Sequence, residues 1–143
     1  MEYRRFSDTL AVRIDRGEEI LEQVRAVAER EQIRFASVQA LGATDDFTVG
    51  VFIPEEKRYV PNRFTGAYEI VSLTGTIGAK DGAPYLHLHL CAGDETGRAV
   101  GGHLTKARVS VTCEMIIRVI DGAVGRRMDD AIGVNLWTFD GAD

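Results

Sequence analysis

Period-two alternation of apolar and polar residues runs through most of the chain, and helical spacing appears once. Thr9 to Ile14 alternates loosely and stops at Asp15 and Gly17, the pattern of a first strand. Ile20, Leu21, Val24, Val27 and Ala28 then recur at helical spacing and predict one helix with a buried stripe. Asp15 and Glu18 stand at the spacing of an N-terminal cap, and Glu18 and Glu19 load the first turn with negative charge. Phe35 to Leu41 reads as a second strand running into Gly42, Ala43 and Thr44, with Phe47 to Ile53 as its hairpin partner. Pro54 to Lys57 is a charged turn, and the stretch through Pro61 and Gly66 reads as an exposed loop with a short edge strand. Tyr68 to Ile77, Val109 to Ile120 and Val134 to Phe139 are further strands, and the tail from Asp140 is expected to fray. The total of about eight strands (seven or eight) and one main helix predicts an α+β domain, a mostly antiparallel sheet with the helix on one face.

One alternating stretch carries chemistry. Tyr85 to Leu104 holds every histidine of the chain: His87, His89 and His103. In a strand His87 and His89 share one face while Leu86, Leu88 and Leu90 share the other. Gly93 to Gly97 has the look of a hairpin loop of about five residues. Centred on Glu95, that loop would set His103 opposite His87, with His89 one diagonal step away. Three imidazoles on one face, with opposed Cβ atoms about 5 Å apart, are within reach of one ion at about 2.0 Å per nitrogen. Three His ligands with an open position suit a catalytic-type zinc site, and other divalent ions also fit. A one-residue slip would send His103 to the other face, and a bulge at Gly101 and Gly102 would also re-aim it.

Two carboxylates break apolar or polar rows: Glu69, in line with Val71 and Leu73, and Glu114, in line with Ser110, Thr112 and Arg118. A carboxylate among apolar residues needs a partner, so Glu69 reads first as half of a structural ion pair and Glu114 as a solvated or paired carboxylate, and in a zinc enzyme Glu69 or Glu114 would be the candidate proton carrier. Cys113 falls in a period-two row with Val109, Val111, Met115 and Ile117 and reads as core, whereas Cys91 shares strand parity with His87 and His89. The two cysteines form no CxxC motif, which points to free thiols.

Composition narrows the class. With 45% hydrophobic and 27% charged residues in 143, one ordinary globular domain spanning 1–143 is expected and extensive disorder is excluded. A net charge of −5 works against unaided nucleic-acid binding. The basic pairs Arg4 and Arg5, and Arg126 and Arg127, read as solvated surface features. No signal peptide pattern and no apolar run of membrane-spanning length occurs, so a cytoplasmic location without membrane partners is expected. Nucleophile-elbow, phosphate-loop and HExxH motifs are lacking, which removes serine hydrolase, nucleotide and zincin readings.

The segments RGEEILEQV (Arg16 to Val24), ALGA (Ala40 to Ala43), GAYEIVSLTG (Gly66 to Gly75), the His87 and His89 pair, and GGHL (Gly101 to Leu104) together resemble the plant and prokaryote conserved domain, PPC or PCC. That resemblance implies a homotrimer with an antiparallel sheet flanked by helix. In the plant members a separate AT-hook contacts DNA, and no such hook occurs here. Their six-residue GRFEIL element, which engages other nuclear proteins, corresponds to Gly66 through Val71, with Ala67 in place of arginine. The fold is also similar to acetolactate decarboxylase, a zinc enzyme with a three-histidine site. Three functions follow as expectations: a stand-alone trimeric module holding Zn²⁺ on His87, His89 and His103 and binding a small molecule or protein; a DNA-associated regulator; and a zinc-dependent lyase or decarboxylase-like enzyme.

Overall fold

The computed structural model describes residues 1–139, so the tail from Asp140 lies outside the described residues. Strands β1 (Glu2–Phe6) and β2 (Thr9–Asp15) lead into helix α1 (Ile20–Arg30). Four long strands follow: β3 (Ala36–Ile53), β4 (Arg58–Lys80), β5 (Ala83–Gly93) and β6 (Ala99–Val119). A short arm of β7 (Gly125–Asp129) and β8 (Val134–Thr138) ends the described chain. The pairing is antiparallel except for one parallel contact between β4 and β7. β3 and β5 each pair with both β4 and β6, so these four strands close into a ring, and β2 and β1 extend it from β6. None of the helices described is long and apolar enough to cross a membrane.

The α+β architecture with one helix matches the expectation from the alternation pattern, but several boundaries move. Leu41 to Asp46 is not a turn. β3 continues through it, and bulges at Ala40/Gly42 and Thr44/Asp46 absorb the extra residues. The acidic pair that looks like a turn is instead matched to neighbouring strands: Asp45 accepts from Arg108 Nε at 2.9 Å, and Asp46 takes both arms of Arg63 at 2.8 and 3.0 Å. Residues 61–66 likewise belong to β4, with Pro61 opposite Gly50 and Phe64 opposite Phe47. Phe47 and Phe64 stack at 5.2 Å, which explains why this stretch extends the sheet rather than looping out.

The helix begins later than its acidic run suggests. Gly17 and Glu18 exchange backbone hydrogen bonds with Val109 and so belong to the sheet edge. Glu18 accepts from the Asp15 amide, and the true N-cap is Glu19, whose carboxylate accepts from the Glu22 amide at 2.8 Å. Glu19 also accepts from the Ala107 amide at 2.9 Å, tying the helix start to β6.

Ile20, Val24, Val27 and Ala28 are fully buried against the sheet, whose facing row includes Leu88, Leu90, Leu73, Ile77 and Met115. Each of these side chains larger than alanine contributes about 1.5–3 kcal/mol by leaving water. Cys113 is buried in the same core, and burial pushes its thiol up to about 12, as its period-two placement implied. Leu88, 1% exposed, lies between the two β5 histidines and points the opposite way, into this core. Replacing Leu88 with alanine should cost about 2–5 kcal/mol in urea denaturation, because the packed layer cannot close the void. A value below about 1 kcal/mol would mean that the leucine face of β5 is not the core face.

Candidate metal centre

The alternation of β5 sorts its side chains: leucines toward the helix, histidines away from it. Asp94 sets how β6 returns. Its amide donates to Arg98 O at 2.9 Å and its carbonyl accepts from Gly97 N at 2.9 Å. Its carboxylate accepts from the amides of Thr96 and Arg98 and from the Thr96 hydroxyl. The loop is therefore the three residues Glu95, Thr96 and Gly97, with Gly97 at φ +82°, a conformation suited to glycine. The hairpin turns about Thr96, so His103 stands directly opposite His89 and not His87. This corrects the register expected from a five-residue loop. The shift is by two residues, so the faces are preserved, and the ladder from His89/His103 to Gly93/Ala99 has no bulge.

The three rings meet on that face. Centroids lie 5.3 Å apart for His87 and His89, 5.3 Å for His87 and His103, and 5.6 Å for His89 and His103. One nitrogen from each lies within 4.8 Å of the others. Four-coordinate zinc bound by imidazole needs nitrogens about 3.3 Å apart, given bonds of about 2.0–2.1 Å, so small ring rotations suffice. His103 Nδ1 is buried with no hydrogen-bond partner among the described residues, which fits a nitrogen reserved for a bound ion or ligand. The donor set of three imidazoles without a carboxylate suits zinc or a neighbouring divalent metal. Strand β4 supports the floor: Thr76 and Thr74 pair with His87 and His89, and a Cβ on Gly75 between them would sit 2.1 Å from the His87 carbonyl. Only glycine allows that approach.

Residues that sequence reasoning left aside form the walls. Tyr59, at the start of β4, lies 5.0 Å from His103 ring to ring. The β7–β8 arm brings Arg126, whose Nη2 donates to His87 Nδ1 at 3.2 Å and whose Nη1 donates to Asn135 O at 3.1 Å. The Arg126 guanidinium lies over the rings of Tyr85 at 5.0 Å and Trp137 at 5.7 Å. Asn135 donates to the Tyr85 hydroxyl at 3.3 Å. The basic pair Arg126 and Arg127 is thus not a uniform surface feature: strand alternation turns Arg127 to solvent and Arg126 inward.

Electrostatics follow from this enclosure. Burial first, then Arg126 and the other two imidazoles, lowers His87 to about 4, and burial with His89 lowers His103. Both are neutral at physiological pH, the state a metal requires. Arginine can only donate, so His87 Nδ1 accepts and the ring proton sits on Nε2. In this arrangement Arg126 occupies the lone pair of His87, and ligation by that ring requires the guanidinium to give way.

The carboxylates singled out as proton carriers are not brought here. Glu69 is exposed and pairs with Ala43 and Gly93, on the order of 15 Å along β4 from the Thr74–His89 pair at a strand rise of about 3.3 Å. Glu114 is exposed beside Arg13 and Leu41, toward the other end of β6. Cys91 faces Gly101 and Ser72 and lies outside the imidazole group.

Comparison with known proteins agrees with this architecture. A metal-containing protein from Archaeoglobus fulgidus is 31% identical over 96% of both chains, with a TM-score of 0.87. A candidate DNA-binding protein from Bacteroides thetaiotaomicron is 28% identical over 96% of both chains, with a TM-score of 0.94. Acetolactate decarboxylase from Bacillus subtilis, at 17% identity over 77% of this chain and 51% of its own, shares the fold at a TM-score of 0.54. A search of curated proteins found no match. The profile of the Plants and Prokaryotes Conserved (PCC) domain matches residues 1–121, and the chain belongs to that family.

Proposed function

We propose that the protein is a trimeric metal-binding module in which His87, His89 and His103 hold a divalent ion, zinc above all. The observation that carries this reading is the convergence of three imidazole nitrogens within 4.8 Å, two of the rings held neutral by burial and one with an orphaned nitrogen. The metal-containing relative from Archaeoglobus fulgidus supports it. A bound zinc would supply a Lewis acid with a coordination position left open by three protein ligands. The chain's own part is to orient the rings from two paired strands, to flank them with Tyr59, Tyr85 and Trp137, and to keep His87 and His103 unprotonated. Within one chain neither Glu69 nor Glu114 reaches the imidazoles.

Trimer formation is supported by apolar side chains left exposed on the sheet: Leu41 on β3, Val71 on β4 and Val111 on β6 are 59%, 64% and 68% exposed. A DNA-associated role, suggested by the name of the Bacteroides thetaiotaomicron relative, is the second reading. The net charge of −5 works against it. Fluorescence anisotropy with duplex DNA across salt should show no steeply salt-dependent binding, and a steep slope would favour the regulator.

Untagged protein, purified without chelator, should sediment as a trimer carrying three ions that survive dialysis, and His103→Ala should lose them without losing the fold. A monomer, or a metal-free trimer that takes up no zinc, would contradict the proposal. The metal-free protein should also respond to acid. In the unfolded chain an imidazole charges near 6.5, whereas folded His87 stays neutral to about 4, so the unfolded state binds the extra proton between those values. Stability is therefore complete above about pH 6.5 and declines as the pH falls toward 4. His87→Gln should flatten that part of the pH–stability curve measured by urea melts, and an unchanged slope would place the titration elsewhere.

A further inference from the structure

We propose that the ligand taken up beside the three histidines is a small carboxylate, gripped by Arg126. The inference extends the metal-centre reading but stands on different atoms. Arg126 is half-buried, yet no carboxylate lies within 4 Å of it among the described residues. A cation withdrawn from water without a counter-ion is costly, and the faces of Tyr85 and Trp137 offset only part of that cost.

Hydrogen bonding shows the same incompleteness. Four buried side-chain polar atoms lack a partner among the described residues, and three belong to this one place: His103 Nδ1, Arg126 Nε and Asn135 Oδ1. Buried polar groups are normally satisfied, so three orphans around one centre mark a site awaiting a ligand. The orphans also specify its chemistry. Arg126 Nε–H, with the second hydrogen of a neighbouring Nη, presents a two-point fork that matches the two oxygens of a planar carboxylate. Asn135, held by Tyr85 at one end of its amide, leaves the other end for a hydroxyl on the same ligand. The aromatic walls of Tyr59, Tyr85 and Trp137 favour a small, singly charged, partly apolar molecule over a strongly hydrated phosphate dianion.

Arg126 also links the two binding events. It sits on the His87 lone pair, and a carboxylate that accepts from the guanidinium competes for that contact and frees the ring. Carboxylate and metal should therefore strengthen each other's binding, and by thermodynamic reciprocity the factor is the same in both directions.

Calorimetric titration of lactate, propionate and inorganic phosphate into metal-free and Co²⁺-loaded protein tests this, with cobalt followed by its visible absorption. Lactate should bind the wild type, more tightly than propionate and far more tightly than phosphate, and more tightly with cobalt present. Arg126→Gln should weaken lactate at least about tenfold, the scale of a lost charge-assisted hydrogen bond, and, with the guanidinium no longer on His87 Nδ1, should bind cobalt alone more tightly than the wild type. Arg126→Lys, which keeps the charge but not the fork, should weaken lactate too and decides the matter if the glutamine variant does not fold. Lactate affinity unchanged in these variants, absent in the wild type, or exceeded by phosphate would overturn the proposal. If cobalt fails to bind but lactate still depends on Arg126, the carboxylate site stands and the metal-centre reading falls.

Discussion

The register of one hairpin decides whether this molecule has a site at all. Asp94 fixes it with five hydrogen bonds within its own loop, two from the backbone and three to the carboxylate. Those bonds make Asp94 and Arg98 the closing pair, and five residues further from the loop that pairing ends with His89 facing His103. Displacement by a single residue would put His103 on the helix side and bring Leu104, now 3% exposed, into the open. The leucines therefore defend the histidine register as much as the loop does, since any slip that scatters the imidazoles also exposes the core.

The same two-sidedness sets the electrostatics. Burying leucine on one face is favourable in itself, but half-burying His87 and His103 on the other is not, and the cost appears as the depressed pKa values of those two rings. That cost is sustained by packing from elsewhere: Tyr59 from the start of β4, Tyr85 from β5, and Arg126 and Trp137 from the terminal arm. Three separate stretches of chain converge to half-bury His87 and His103, while His89 stays exposed.

How much of this could be read from the residues follows from how local each cause is. Helical spacing in Ile20, Val24, Val27 and Ala28, the parity of His87 and His89, and the core placement of Cys113 depend on one stretch at a time and were legible. Strand continuity was not. Gly42 and the Asp45–Asp46 pair carry turn chemistry, and what keeps them in β3 is Arg63 and Arg108 on neighbouring strands, which no local pattern reveals. The hairpin centre was missed by one residue because Gly93 looks like a loop glycine while Asp94 supplies the closing bonds. Glu69 drew attention as a carboxylate in an apolar row. A register shift between Ile70 and Ser72 breaks that row, leaving Glu69 exposed and Val71 64% exposed. Arg126 was hidden by Arg127: adjacent charges read as surface, and only the placement of β7 sends one inward.

The arm also shows why the walls of the site could not have been inferred from the sheet. β7 meets the main sheet through a single ladder pair, Ala79 with Gly125, reinforced by the Ala79 amide on Val124 O at 2.8 Å. Its other attachments run through side chains, among them Lys57 Nζ on Asp130 O at 2.6 Å, the Lys57 stem against Gly133, Arg126 on His87, Asn135 on the Tyr85 hydroxyl and Trp137 edge-on to Phe35. With so few backbone bonds, the position of the arm is set by what those side chains find to hold. Arg126 is both a strut of the wall and a competitor for one of the three imidazoles. A change at His87 must therefore be felt in the arm, and a change in the arm must be felt at the three imidazoles.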